Sequence, residues 1–119
     1  VLVVDDEPDA RFLMMTVLKQ AGAIVITVES VQDAIAQLEA FQPDLLVSDI
    51  GMPGEDGYSL IRKVRDIETL KNLPAIALTA YASSSDRSAA IAAGFDQHIT
   101  KPADPVELIT IAAQLCGRS

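Results

Sequence analysis

"PDLLVSDIGMPGEDGY", residues 43–58, begins as a buried strand and ends as a glycine-rich loop. Leu45, Leu46 and Val47 form a short apolar run of the kind covered on both faces. Ser48 and Asp49 follow, and then Gly51, Pro53, Gly54 and Gly57, which neither a strand nor a helix carries through. A core strand that ends this way fixes a carboxylate rigidly and sets it where backbone and small ligands can approach.

Four further apolar runs share the chain with this one: Val1 to Val4, Ile24 to Val28, Ala75 to Leu78, and a weaker run from His98 to Thr100. The segments between them have helical spacing. Leu13, Met14, Val17, Leu18 and Ala21 form one face of a first helix, which Gly22 can end in the left-handed conformation. Val31, Ala34, Ile35, Leu38 and Phe41 form the face of a second, with Ser30 placed to cap it. A third, from Tyr58 to Asp66, offers Leu60, Ile61 and Val64. The fourth, from Ser83 to Ala93, is alanine-rich with Ile91 as its only large apolar residue, and is expected to be the most loosely held. Asp104, Pro105 and Glu107 start the fifth with an N-cap, a first-turn proline and an acidic third position, and Leu108, Ile111, Ala112 and Leu115 form its core face.

Alternating strands and helices imply right-handed crossovers and a parallel sheet with helices on both faces. Ligands of such sheets sit beyond the carboxyl ends of the strands. Those ends carry Asp5, Asp6 and Glu7 after the first strand, Asp49 after the third, Thr79 and Ala80 after the fourth, and Lys101 and Pro102 after the fifth. Singly, each has an ordinary explanation as a cap, a turn residue or a solvated charge. Together they fall on one rim.

The 119 residues suit one domain, and half are hydrophobic, enough for a core without staples. Cys116 is the single cysteine, which excludes an internal disulfide and makes a reducing, cytoplasmic setting the default. No apolar run reaches the roughly 20 residues of a membrane span. Seventeen acidic against nine basic residues give a net charge of −8, which disfavours direct nucleic-acid binding and welcomes a cationic metal or a basic partner. The apolar opening Val1 to Val4 suggests a segment excised from a longer chain, whose parent could be membrane-anchored.

Two carboxylates about 4 Å apart at an effective dielectric near 20 repel by roughly 4 kcal/mol. Three together raise one another's pKa or demand cations. Lys101 supplies one positive charge, and a divalent ion would supply the rest. All-oxygen ligands, with no histidine or cysteine among them, suit Mg²⁺ rather than zinc. A carboxylate, a divalent ion, a lysine and a hydroxyl are the parts of a phosphoryl-transfer site, with Asp49 as nucleophile and Thr79 as donor to a phosphoryl oxygen. Gly51 has no side chain, so its carbonyl could reach the metal.

The blocks "VLVVDDE", "PDLLVSDIGMPGEDGY", "PAIALTAYA" and "GFDQHITKP" resemble, in order and spacing, those of the receiver domains of two-component signalling. The resemblance spans essentially the whole chain. It implies a flavodoxin-like (βα)5 three-layer sandwich, a five-stranded parallel sheet in order 2-1-3-4-5, and phosphorylation at Asp49. It further implies Mg²⁺ held by Asp5, Asp6, Asp49 and the Gly51 carbonyl, Thr79 and Lys101 on the phosphoryl group, and a cis bond before Pro102. The implied donor is a phosphohistidine on a histidine kinase or histidine phosphotransfer domain, with no direct membrane contact and a weak homodimer as a further possibility.

Two positions depart from the family pattern. His98 stands where the family usually has the aromatic switch residue, and Ala103 where a phenylalanine commonly follows Lys-Pro. Both resemble receivers attached to hybrid sensor histidine kinases more than stand-alone or DNA-binding regulators. His98 is either a half-exposed strand residue without special role or a switch whose titration makes signalling pH-sensitive. Gly51 and Tyr81 occupy the family's two positions that tune dephosphorylation, and the competing reading of Tyr81 is a surface aromatic. Two other readings compete: an aspartate-nucleophile phosphatase of the haloacid-dehalogenase type, whose Asp-x-Asp pattern is not evident here, and a degenerate receiver used only for docking, which the intact acidic set opposes.

Overall fold

The computed structural model describes residues 1–51, 57–80 and 84–116. Ten elements alternate: β1 (Leu2–Val4), α1 (Pro8–Gln20), β2 (Ile26–Val28), α2 (Val31–Ala40), β3 (Leu46–Asp49), α3 (Gly57–Asp66), β4 (Ala75–Thr79), α4 (Ser84–Ala93), β5 (Gln97–Thr100) and α5 (Pro105–Leu115). All neighbouring strands pair in parallel, in the order β2-β1-β3-β4-β5, which is the flavodoxin-like arrangement expected.

Successive strand residues point to opposite faces, so each apolar run feeds two cores. Leu2, Val4, Leu46, Ala75 and Ala77 meet Val31, Leu38, Leu60, Ile61, Val64 and Phe95 on one side. Val3, Val47, Ile76, Leu78 and Ile99 meet Met14, Val17, Leu18 and Leu108 on the other. Unbroken apolar sequence in β1, β3 and β4 follows from cover on both faces. The caps form as their chemistry dictates. Ser30 accepts from the Asp33 amide at 3.1 Å, Asp104 accepts from the Val106 and Glu107 amides, and Gly22 ends α1 with φ 94°.

The apolar runs misplace some ends. Register pairs Leu2 with Ile26, so Ile24 lies beyond the end of β1 and is 87% exposed. Asp49 and Thr79 belong to their strands as the last residues rather than following them. Leu13 is 39% exposed, Phe41 is the C-cap of α2, and Ile91 turns outward while Ala90 fills the core position of α4.

At the rim opposite the strand carboxyl ends, Arg65 ties three segments together. Its Nε and Nη2 donate to the Gly94 carbonyl at 3.0 and 2.7 Å, and its Nη1 to the Leu73 carbonyl at 2.6 Å. Nη2 also meets Asp96 Oδ2 at 3.2 Å, an oxygen that accepts from the Ala75 amide as well. Arg65→Ala is expected to destabilise the domain by about 2–3 kcal/mol, because carbonyls left without a charged donor lose more than an average hydrogen bond. Urea unfolding checks this as a lower midpoint at unchanged slope.

Candidate functional site

Parallel topology brings the carboxyl ends of β1, β3, β4 and β5 to one rim, and each end delivers a polar side chain. Asp5 is fully buried, Asp49 is 6% exposed and Thr79 is 1% exposed. Lys101 leaves β5 just before a cis Lys101–Pro102 bond. Its Nζ lies 2.8 Å from Asp5 Oδ2, 3.1 Å from Asp49 Oδ2 and 3.7 Å from Glu7 Oε1. Asp49, Gly51, Thr79, Lys101 and Tyr58 line one cavity of about 300 Å³.

The remaining carboxylate oxygens are held by backbone. The Glu7 amide donates to Asp5 Oδ1 at 2.9 Å, and the Gly51 amide donates to Asp49 Oδ1 at 3.0 Å. A side chain at Gly51 would be in ordinary contact with Asp49, so space alone does not require glycine there. Gly57 is different. A Cβ on it would come within 2.6 Å of the Asp49 carbonyl oxygen and 2.8 Å of Ile50 Cα. The start of α3 can therefore press on the end of β3 only without a side chain, and Gly57→Ala is expected to cost about 1–3 kcal/mol as β3 is pushed back. Thermal unfolding checks it.

Charge at the rim is unbalanced. Burial pushes the Asp5 carboxyl up; Lys101 and the Glu7 amide pull it down, the Asp49 charge pushes it up again, and the result lies above the usual aspartate range. For Lys101, burial opposes the ammonium, but hydrogen bonds and charge from Asp5 and Asp49 outweigh it and hold the group above the usual lysine range. One oxygen of each of Asp5, Asp6 and Asp49 falls within 4.8 Å of the others. Asp5 Oδ2 is buried with no aligned hydrogen-bond donor, although the Lys101 charge is close. A convergent, all-oxygen, electron-rich set with an unsatisfied buried oxygen fits a hard divalent cation such as Mg²⁺.

Of the other positions singled out in the sequence, His98 is partly buried on β5, and its Nε2 accepts from Arg87 Nε on α4 at 3.3 Å. Ala103 is 9% exposed in the α1/α5 core. Tyr81 lies outside the described residues. Sequence reasoning missed Gly57 and Arg11, which donates to the Asp5 carbonyl. It also missed the approach of Glu7 to Lys101. Only the Gly-rich spacing offered any signal for the first.

The pattern described as the response regulator receiver domain matches residues 1–113. The chain belongs to that family. It is 49% identical to an uncharacterized 14.6 kDa protein of Leptolyngbya boryana, covering 98% of this chain and 88% of that one. It is 43% identical to the hybrid signal transduction histidine kinase D of Dictyostelium discoideum, covering 91% of this chain and 8% of the kinase. Among solved structures, the signal receiver domain of a signal transduction histidine kinase from Syntrophus aciditrophicus is 31% identical. It superposes with a TM-score of 0.89, covering 98% of this chain and 88% of that one. Among the described residues, no helix of this receiver is long and apolar enough to cross a membrane.

The sign of the Asp5 displacement yields a test. A carboxyl whose folded value is raised contributes stability below the ordinary aspartate value and loses it as pH rises through the folded one. Ionisation of Asp5 thus costs more in the folded chain than in the unfolded one, even with Lys101 beside it. Asp5→Asn is expected to unfold at higher temperature than the wild type in metal-free buffer, and its advantage is expected to grow as pH rises through that window. Thermal scans at a series of pH values check both points, and an advantage that shrinks with pH contradicts the electrostatic account.

Proposed function

We propose that this receiver is the phosphoacceptor of a two-component phosphorelay, taking a phosphoryl group from a phosphohistidine onto Asp49. The observation that carries this is the single ammonium of Lys101 held at 2.8 Å from Asp5 and 3.1 Å from Asp49. In the transfer, the P–N bond of the phosphoimidazole breaks as an O–P bond to the Asp49 carboxylate forms, and the imidazole departs with the electron pair. Asp49 is presented at a fixed angle by β3, with one oxygen oriented by the Gly51 amide. Lys101 neutralises charge on the equatorial oxygens, and Thr79 donates its hydroxyl to one of them. Asp5, Asp6, Asp49 and the Gly51 carbonyl would hold Mg²⁺, which supplies further neutralisation of the phosphoryl charge. Pro102 completes the turn that carries Lys101, and Tyr81 tunes dephosphorylation.

The donor is a helical phosphohistidine domain of a kinase or phosphotransfer protein. Its seat is the face formed by α1 and α5, where Phe12 and Val106 are 66% and 74% exposed. A cavity of about 510 Å³ lies beside α1, lined by Leu13, Met14 and Ala103 and reaching Lys101. The small Ala103 leaves that space open. His98 and Ala103 favour a place within a cytoplasmic part of a hybrid histidine kinase over a stand-alone regulator, and a hybrid histidine kinase is among the relatives of this chain. The net charge of −8 supports protein rather than nucleic-acid partners.

Incubation with Mg²⁺ and acetyl phosphate, followed by intact mass, is expected to add one acid-labile phosphoryl group to the wild type and none to Asp49→Ala. Lys101→Ala is expected to retain some phosphorylation but to lose the conformational response to beryllofluoride in amide spectra. Sustained turnover of unrelated phosphate esters would instead favour the phosphatase reading.

A further inference from the structure

Arg11 reaches from the first turns of α1 back to the strand end that precedes it. Its Nη1 donates to the Asp5 carbonyl at 2.7 Å, and its Nη2 lies 3.9 Å from Glu29 Oε2 on the connection between β2 and α2. The side chain is only 20% exposed, so this is a short, charge-assisted hydrogen bond largely out of water. The Asp5 amide donates in turn to the Val28 carbonyl at 3.1 Å. The peptide whose carbonyl Arg11 holds joins Asp5 to Asp6. Its plane sets ψ of the first residue and φ of the second, and so the directions in which both carboxylates leave the backbone.

We propose that Arg11 is a positioning residue for the acidic pair, fixing the Asp5–Asp6 peptide so that both carboxylates meet a divalent ion at a productive angle. The inference rests on the Mg²⁺ site of the proposed function. It makes a prediction opposite to simple electrostatics. A guanidinium beside a cation site repels the cation, so deleting its charge alone would tighten binding. Deleting the hydrogen bond frees the peptide plane and loosens it.

The test is a titration of the metal-free chain with Mg²⁺, read by amide chemical shifts, for the wild type and three variants, with thermal unfolding in chelator as the folding control. Arg11→Ala is expected to bind Mg²⁺ about tenfold more weakly, at the lower end of what losing an outer-shell partner costs. Arg11→Met keeps the aliphatic stem and its packing while removing donor and charge, and it is expected to weaken binding to a similar degree. Arg11→Lys restores a donor and is expected to recover most of the affinity. Equal or tighter binding in folded Arg11→Ala or Arg11→Met overturns the inference, as it would if Arg11 served stability alone. A wild-type chain that leaves Mg²⁺ unbound overturns both this inference and the metal site on which it rests.

Discussion

A single ammonium shared by two buried carboxylates organises the functional rim. Lys101 follows β5, Asp5 follows β1 and Asp49 ends β3, and the sheet order places β3 and β4 between β1 and β5. The contact therefore spans most of the sheet and depends on correct register at every intervening pair. A slip of one residue in β3 would send Asp49 to the opposite face and bring Ser48 or Ile50 to its level. Apolar residues alternating between two covered faces make such a slip costly, because each core would receive the other's side chains.

Stability and reactivity pull against each other at this rim. The rest of the domain is assembled from ordinary compensations: two apolar layers, capped helices, and an arginine binding carbonyls at the far end. At the carboxyl ends of the strands, acidic groups outnumber the one lysine among the described residues, and Asp5 is held above its usual range. An arrangement selected for stability alone would neutralise one of these groups. Their retention makes the rim an acceptor for positive charge, which in the proposed function is a divalent ion that would offset the negative charge of an incoming phosphoryl group.

The fold was legible because each local signal agreed with the global pattern. Gly22, Ser30 and Asp104 marked helix ends by mechanisms that operate within a few residues, and five apolar runs marked the strands. What was not legible depends on partners distant in sequence. Ile24 reads as strand, yet it lies ahead of the paired residues of β2, its carbonyl meeting the Val1 ammonium and its side chain exposed. Ile91 reads as the natural core residue of α4, but the helix turns Ala90 inward and leaves Ile91 exposed. At the site, Asp5, Asp6, Asp49, Thr79 and Lys101 could be proposed from their places at strand ends. Arg11 could not, because a lone arginine on an amphipathic helix carries no mark that it turns back to a carbonyl. Gly57 looked like one more loop glycine, whereas its role is set by the Asp49 carbonyl beneath it.

The two departures from the family pattern lie on opposite sides of the sheet, which bears on how a signal could leave the site. His98 meets Arg87 of α4, while the neighbouring Ile99 packs into the core beneath α1 and α5, and Ala103 lies in that same core. Ala103 thus affects the face nearest the open cavity beside Lys101, where a donor would dock. His98 affects the face on which α4 rests, and α4 contributes only Ala90 to the buried core among its described side chains. A helix that contributes so little to the buried core among its described side chains would be displaced at small packing cost by a change at the Thr79 end of β4. An imidazole bonded to that helix would transmit or resist the displacement through a polar contact, where an aromatic ring would act by filling space. Under the proposed function, acceptance of phosphate and release of its signal would be separable by face, joined through β4, β5 and the lysine that follows them.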